Sequence, residues 1–182
     1  MKYDRAPKPK TKKEIVAEKL RAIKPKPAYP IIGFTGTRKG MTDDQKEAFK
    51  AFLEAHKPEE FHHGDCVGAD ADAHKIAKKL KIKIVIHPPE DGKHRAFCKG
   101  GKILKPKPYL ERNHDIVDVC SVLIACPKQK REIRRSGTWA TVRYARKMNK
   151  ALSIMFPVAE LKPKLGLKAR MRIRYRKRWT NS

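Results

Sequence analysis

The chain has 182 residues, and its 45 lysines and arginines against 19 acidic residues give a formal net charge of +26 at pH 7. This length fits one domain with extensions, no apolar run is long enough to span a membrane, and the four cysteines lack Cys-x-x-Cys spacing. We therefore expect a reducing, cytoplasmic setting in association with a nucleoid or nucleoprotein, and neither a membrane protein nor a disulfide framework.

The N-terminal arm, residues 1–29, holds ten Lys and Arg against three acidic residues. Thr11 and Glu14 form a capping box, which predicts a short helix between two Lys/Pro-rich stretches. Segments with this much positive charge bind polyanions through counterion release, so we expect the arm to contact nucleic-acid phosphates. The candidate contacts in the arm are Lys8, Lys10, Lys12 and Lys13.

The predicted domain, residues 30–157, begins with strands and helices in alternation. Residues 31–34 form a buried first strand, and residues 35–38 form a glycine-containing turn after it. Thr42 and Gln45 cap the next helix, and residues 60–63 form the second strand. A helix with apolar residues at 3.6-residue spacing then begins near Ala69, and a third strand covers residues 82–86.

The second half of the domain continues the same alternation after a long loop, residues 88–108, rich in Lys, Gly and Pro. A helix carries Leu110, Ile116 and Val117, and the predicted strand 122–125 is followed by a short basic loop. The helix 138–148 and the strand 152–156 complete the domain. The pattern predicts an α/β, Rossmann-like, doubly wound and mainly parallel sheet with helices on both faces.

Two stretches are typical of turns that hold phosphate, because each places glycine where a strand runs into a helix. The first turn contributes Gly64, Asp65, Gly68 and Asp70, and the second contributes Ser136, Gly137, Thr138 and Thr141. An aspartate in the first turn could accept a hydrogen bond from a ribose hydroxyl. The alternative is that these polar side chains only cap helices.

Further candidates lie at the same carboxyl edge of the predicted sheet. Gly36, Thr37 and Arg38 follow the first strand, and Arg112 with Asn113 could clamp a phosphate or a base. The alternative for Arg112 is an ion pair with Glu111 or Asp115. Trp139 could stack on a base or belong to the core.

Four blocks of the domain together resemble the SLOG superfamily of Rossmann-like proteins. They are Gly33 to Arg38, His63 to His74, Tyr109 to Asn113, and Ser136 to Ala145. The run Ala69-Asp70-Ala71-Asp72-Ala73-His74 and the pair Arg112-Asn113 are most similar to the DprA family of DNA-processing proteins, and the LOG nucleotide hydrolases are more distant. The resemblance covers residues 30–157.

The resemblance implies a sheet whose turns hold nucleotide or strand phosphates, with single-stranded DNA as the DprA ligand. LOG enzymes hydrolyse the N-glycosidic bond of a nucleoside monophosphate with a glutamate, and Thr141 occupies that position here. Binding without catalysis is therefore favoured. If an enzyme of this type remains, the acid/base candidates are Asp65, Asp70 and Glu111. No cofactor is certain, and a bound nucleotide is the one that the family implies.

The C-terminal tail, residues 158–182, holds nine Lys and Arg against one acidic residue. In an extended segment its alternating arginines would project to one side and face phosphates. They are Arg170, Arg172, Arg174, Arg176 and Arg178. The expected partners are RNA or DNA, with other proteins of a large nucleoprotein assembly, and the alternative is a structural ribonucleoprotein component with a relic pocket. A homodimer is compatible with the family but does not follow from the residues.

The run of histidine, cysteine and aspartate between His62 and His74 also has donor types that metals use. We nevertheless expect no metal, because His62 and His63 point to opposite faces of a strand, and Asp70 with His74 supplies only two ligands on one helix face.

Overall fold

The structure is a computed structural model that describes residues 27–158. The predicted N-terminal helix, Lys8, Lys10, Lys12 and Lys13 lie outside the described residues, as do the five tail arginines. Within residues 27–158 no helix has the length and apolar character needed to cross a membrane.

The described residues form one six-stranded sheet in which every neighbouring pair of strands is parallel. Its order is β4-β3-β2-β1-β5-β6. The strands are β1 (Ile31–Gly36), β2 (Glu60–His63), β3 (Lys83–Ile86), β4 (Lys102–Ile103), β5 (Val122–Cys126) and β6 (Ala151–Ile154). This confirms the predicted α/β, Rossmann-like class. The strand order reverses between β1 and β5, and ligands of such sheets bind outside the carboxyl ends at this point.

Four helices connect the strands. They are α1 (Asp43–His56), α2 (Ala69–Lys79), α3 (Tyr109–Val119) and α4 (Gly137–Lys147). The predicted capping box of α1 is present, since the Thr42 hydroxyl accepts from Gln45 N and the Gln45 side chain accepts from Thr42 N. Ser136 caps α4 by accepting from Trp139 N at 3.4 Å. These caps set where the helices begin.

The core has two sides because helices cover both faces of the sheet. On one side α1 and α2 pack over the sheet, and Phe34, Phe49 and Phe61 meet with ring centroids 5.2 to 5.9 Å apart. On the other side α3 and α4 pack through residues such as Ile116 and Ala145. All four cysteines are free thiols.

The prediction of a long loop over residues 88–108 is wrong in part. The segment contains a short 3₁₀ helix, Gly92–His94, and the edge strand β4. β4 has only two residues, both exposed, and it is recognisable only by its backbone pairing with β3. Such a strand has no hydrophobic period, so the sequence carries no signal for it.

Candidate functional site

A cavity of about 740 Å³ opens at the carboxyl edge of the sheet, where the strand order reverses. Its walls come from the turn after β1, the turn after β2, the first residues of α3, and the loop between β5 and α4. The β4-β3-β2-β1 half and the β5-β6 half of the sheet therefore both contribute to it.

The cavity brings together nine of the predicted phosphate-binding residues. They are Gly36, Thr37, Arg38, Asp70, Arg112, Asn113, Ser136, Gly137 and Thr138. Gly64, Asp65, Gly68, Thr141 and Glu111 are not among the lining residues. The parallel topology explains this gathering, because the carboxyl ends of β1, β2 and β5 lie side by side.

Arg112 is the most unusual residue of the cavity wall. It is only 5% exposed, and its Nε is buried with no hydrogen-bond partner among residues 27–158. Its Nη2 contacts Cys66 Sγ at 2.9 Å. No carboxylate of the described residues lies within 4.0 Å of the guanidinium, since Glu111 and Asp115 instead pair with Lys107 at 3.3 and 2.8 Å. Arg112 is thus a buried cation without an ion-pair partner in this part of the chain.

Gly64 has a steric role in the position of Arg112. A Cβ atom at Gly64 would overlap the guanidinium, so the side chain lies directly against the backbone of the turn after β2. Only glycine leaves this space. Gly36 and Gly68 have similar roles, because a Cβ at either would overlap Ala69 or the backbone of Arg38.

Asp70 is the acidic residue of the cavity. Its Oδ2 accepts from Gly64 N and Cys66 N, each at 3.1 Å, which closes the turn after β2. The side chain is 5% exposed, and burial raises the pKa of Asp70 to about 6 although Arg112 acts in the opposite direction. A carboxyl group with a pKa near neutrality can exchange protons under physiological conditions.

The first turn of α4 also lines the cavity. Gly137 N and Thr138 N have no acceptor among residues 27–158, and the space beside Gly137 is open, with no atom within 4 Å of a Cβ built there. Thr138 Oγ1 donates to Gly36 O at 2.8 Å and joins α4 to the end of β1. The exposed N–H groups and the helix dipole suit an anion.

Asp65 and Thr141 face other partners. Asp65 is fully buried and binds Arg95 Nε at 2.6 Å and Cys98 N at 2.9 Å, so it fastens the loop after the 3₁₀ helix. Thr141 Oγ1 donates to Gly137 O at 3.0 Å within its own helix. Trp139 lines the cavity, but it is only 3% exposed and belongs to a core cluster with Ala125 and Val142.

The cavity mouth combines charge with apolar surface. Arg38, Lys39, Lys128 and Arg135 are exposed lining residues. Three exposed apolar residues, Val67, Leu110 and Ile133, also line it. Together with the unpaired N–H groups of α4, this arrangement suits a ligand that has both an anionic and an apolar part.

Two pairs of buried histidines lie beside the cavity, and one of them meets Cys98. Donor atoms of His63, His74 and Cys98 lie within 4.8 Å of one another, a spacing compatible with a metal. However, Asp65 N donates to His63 Nδ1 at 3.1 Å, so the proton of neutral His63 is on Nε2. That Nε2 donates to His74 Nδ1 at 3.0 Å, and His74 Nε2 donates to Lys99 O. A metal on His63 Nε2 would move the proton to Nδ1, where it would oppose the Asp65 N–H.

Sequence reasoning did not assign a role to Cys66 or Tyr109, and both adjoin Arg112. Cys66 supplies the one hydrogen bond that the Arg112 side chain makes within residues 27–158, and burial raises the pKa of this thiol. The Tyr109 ring lies 5.7 Å from the Arg112 guanidinium carbon. The available signal in the sequence was their position, since Tyr109 belongs to the block Tyr109 to Asn113 and Cys66 to the turn after β2.

No protein-family model matches the sequence, and no curated protein matches it. Among solved structures, the chain is similar to the molybdenum cofactor binding protein from the phototrophic bacterium Rippkaea orientalis, with 22% identity and a TM-score of 0.54. That match covers 69% of this chain and 75% of the other.

Two DNA processing protein A (DprA) structures are similar to the same degree. The one from Helicobacter pylori has 20% identity and a TM-score of 0.53 over 72% of this chain and 68% of that chain. The one from Streptococcus pneumoniae has 18% identity and a TM-score of 0.52 over 81% of this chain and 56% of that chain. At these identities the likeness shows a shared fold, and it does not single out DprA over the molybdenum cofactor binding protein.

Proposed function

We propose that the cavity binds the phosphate of a nucleotide or nucleic-acid strand, and that the chain is a nucleic-acid-binding protein. The observation that carries the proposal is Arg112, a buried guanidinium with no carboxylate within 4.0 Å among residues 27–158, which lines the same cavity as the first turn of α4. Burying an unpaired charge is strongly unfavourable unless a partner compensates it. An anionic ligand is the partner that this geometry supports.

The charge around the cavity supports a polymeric ligand. The exposed loop between β5 and α4 carries Lys128, Lys130, Arg131, Arg134 and Arg135. Its acidic residue, Glu132, is already paired with Arg143 and Arg146 at 2.9 and 3.2 Å. A basic loop at the mouth of a phosphate site can follow a nucleic-acid backbone that continues outside the cavity.

The arm and tail extend this proposal. Their lysines and arginines would provide most of the affinity for RNA or DNA through phosphate contacts, which predicts a steep decrease of affinity with salt. Proteins of a larger nucleoprotein assembly are further proposed partners. The Helicobacter pylori DprA structure is described as having a single-stranded DNA binding mode, which is compatible with such a ligand.

A nucleotide hydrolase is the second candidate, because Asp70 combines a position in the cavity with a pKa raised to about 6. Of the three proposed acid/base residues, Asp65 is held by Arg95 and Glu111 pairs with Lys107. Asp70 is therefore the residue on which hydrolysis would depend. Release of free base from a nucleoside monophosphate, lost in Asp70→Asn, would favour the enzyme over the binding protein.

The test compares the full chain with Arg112→Met and with Lys79→Met, a control at an exposed cation of α2 outside the cavity. We expect Arg112→Met to weaken binding of inorganic phosphate and AMP at least about tenfold in calorimetry, with Lys79→Met unchanged. Without ligand, Arg112→Met should unfold at equal or higher denaturant concentration, because it removes an uncompensated buried charge. Equal affinity of Arg112→Met and the wild type would refute the proposal.

A further inference from the structure

The Asp70 carboxylate has one oxygen that the protein uses and one that it does not. Oδ2 accepts both backbone N–H groups of the turn after β2, at 3.1 Å each. No donor among residues 27–158 is bound to Oδ1. Since Asp70 is buried and lines the cavity, Oδ1 is left for a donor that comes from the ligand.

A carboxylate at this place needs an explanation, because it repels the phosphate that Arg112 and α4 would attract. The two side chains share a support, since Arg112 lies against Gly64 and contacts Cys66, and Asp70 binds the N–H groups of the same two residues. The ligand group next to Asp70 must therefore be adjacent to the phosphate and must offer a hydrogen-bond donor. In a nucleotide the sugar is the group directly attached to the phosphate.

We propose that Asp70 Oδ1 accepts a hydrogen bond from the sugar 2′-hydroxyl of the bound phosphate ester, so that the site selects ribose-containing over deoxyribose-containing ligands. This inference rests on the proposed phosphate site and names its ligand class as ribonucleotides. A hydroxyl that deoxyribose lacks is the group by which proteins distinguish RNA from DNA. A ribonucleotide satisfies the carboxylate, whereas a deoxyribonucleotide leaves it buried without its donor.

The fixed orientation of Asp70 makes Asp70→Asn an informative variant. The two backbone N–H groups need an oxygen acceptor, so the amide oxygen takes the place of Oδ2 and the NH₂ group occupies the place of Oδ1. The variant thus removes a negative charge from the cavity and replaces an acceptor by a donor. It should strengthen binding of phosphate while it weakens the preference for ribose, two opposite effects that partial unfolding cannot produce.

The experiment measures binding of five probes to the full chain by calorimetry at pH 8, where a carboxyl with a pKa near 6 is ionised. The probes are inorganic phosphate, ribose 5-phosphate, 2-deoxyribose 5-phosphate and the pair AMP and dAMP. We expect wild type to prefer each ribose ligand about tenfold or more, and Asp70→Asn to reduce this ratio below about threefold while it binds inorganic phosphate more tightly. Asp72→Asn is the matched control, because Asp72 is on the same helix but accepts from Met41 N at 3.0 Å.

The outcomes separate the two proposals. If wild type binds inorganic phosphate but does not prefer ribose ligands, the inference on Asp70 is refuted and the phosphate site stands. A preference for ribose ligands that Asp70→Asn retains in full also refutes it, since a group other than Asp70 would then recognise the hydroxyl. If wild type binds none of the probes, both proposals fail.

Discussion

Acidification should destabilise the protein through a buried histidine pair. His87 is 3% exposed, and its Nε2 lies 2.9 Å from His62 Nδ1. His62 Nε2 donates to Glu60 at 3.0 Å, so His62 accepts at Nδ1 and His87 must carry its proton on Nε2. Both rings are therefore neutral in this arrangement. Burial lowers the pKa of His87 to about 4 and also lowers that of His62.

The size of the effect follows from the difference between the folded and unfolded states. The His87 pKa is about 4 when folded and 6.5 in the unfolded reference, so between these values the unfolded chain binds the extra proton. The contribution of His87 is complete above pH 6.5 and is lost as the pH falls towards 4. A difference of about 2.5 pKa units corresponds to about 3 kcal/mol.

Asp70 acts in the opposite direction over nearly the same range. Burial raises its pKa from 3.8 to about 6, so here the folded state binds the extra proton. Its ionisation therefore lowers the free energy of unfolding as the pH rises from about 4 to 6, also by about 3 kcal/mol. The pH dependence of the wild type is the sum of both effects, and variants are needed to separate them.

Urea denaturation from pH 4 to 8 measures these contributions. His87→Gln, whose amide can still donate to His62, should lose stability less steeply on acidification than wild type. Asp70→Asn should lose stability more steeply on acidification, because the opposing contribution of the Asp70 carboxyl is absent. If the stability of His87→Gln and wild type had the same pH slope between 4 and 6.5, the assignment of a neutral buried His87 would be wrong.

Two further substitutions test the supports of the cavity. Gly64→Ala places a Cβ where the Arg112 guanidinium lies. It should therefore cost about 1–3 kcal/mol of stability, measured by denaturation. It should also reduce phosphate affinity as much as Arg112→Met does, measured by calorimetry. Asp65→Asn weakens the charged contacts to Arg95 and Cys98 N, so it should cost about 1–3 kcal/mol and speed proteolysis between residues 92 and 101, with phosphate affinity retained. Loss of phosphate binding in Asp65→Asn would contradict its placement outside the cavity.

The fold could be predicted from the sequence because its local signals agreed with one another. The capping pair Thr42 and Gln45 marked the start of α1, and the strand predicted at residues 60–63, before the glycine turn, has the bounds of β2. Alternation of strands and helices then requires a parallel sheet. The carboxyl ends of its strands gather the turns, which is why residues more than a hundred positions apart could be expected at one cavity.

The directions of the side chains in the site could not be predicted from the sequence, because they depend on segments that are distant along the chain. Asp65 and Asp70 belong to one turn, yet Asp65 has φ +55 and turns towards Arg95, whereas Asp70 remains in the cavity. Arg112 is next to Glu111, but the position of Lys107 decides that Glu111 pairs elsewhere. Hydrogen-bond partners of this kind follow from tertiary packing and not from motif spacing.

The strand order has a consequence for how the protein folds. β1 to β4 are consecutive neighbours within residues 31–103, whereas β1 joins β5 only through pairs such as Ile32 with Val122. Pairing of β1 with β5 therefore requires closure of a long loop, which is a slow step in folding. The cavity forms only after that step. A ligand that contacts both Asp70 and the first turn of α4 holds the two halves together, so its concentration sets how often the pairing of β1 with β5 opens.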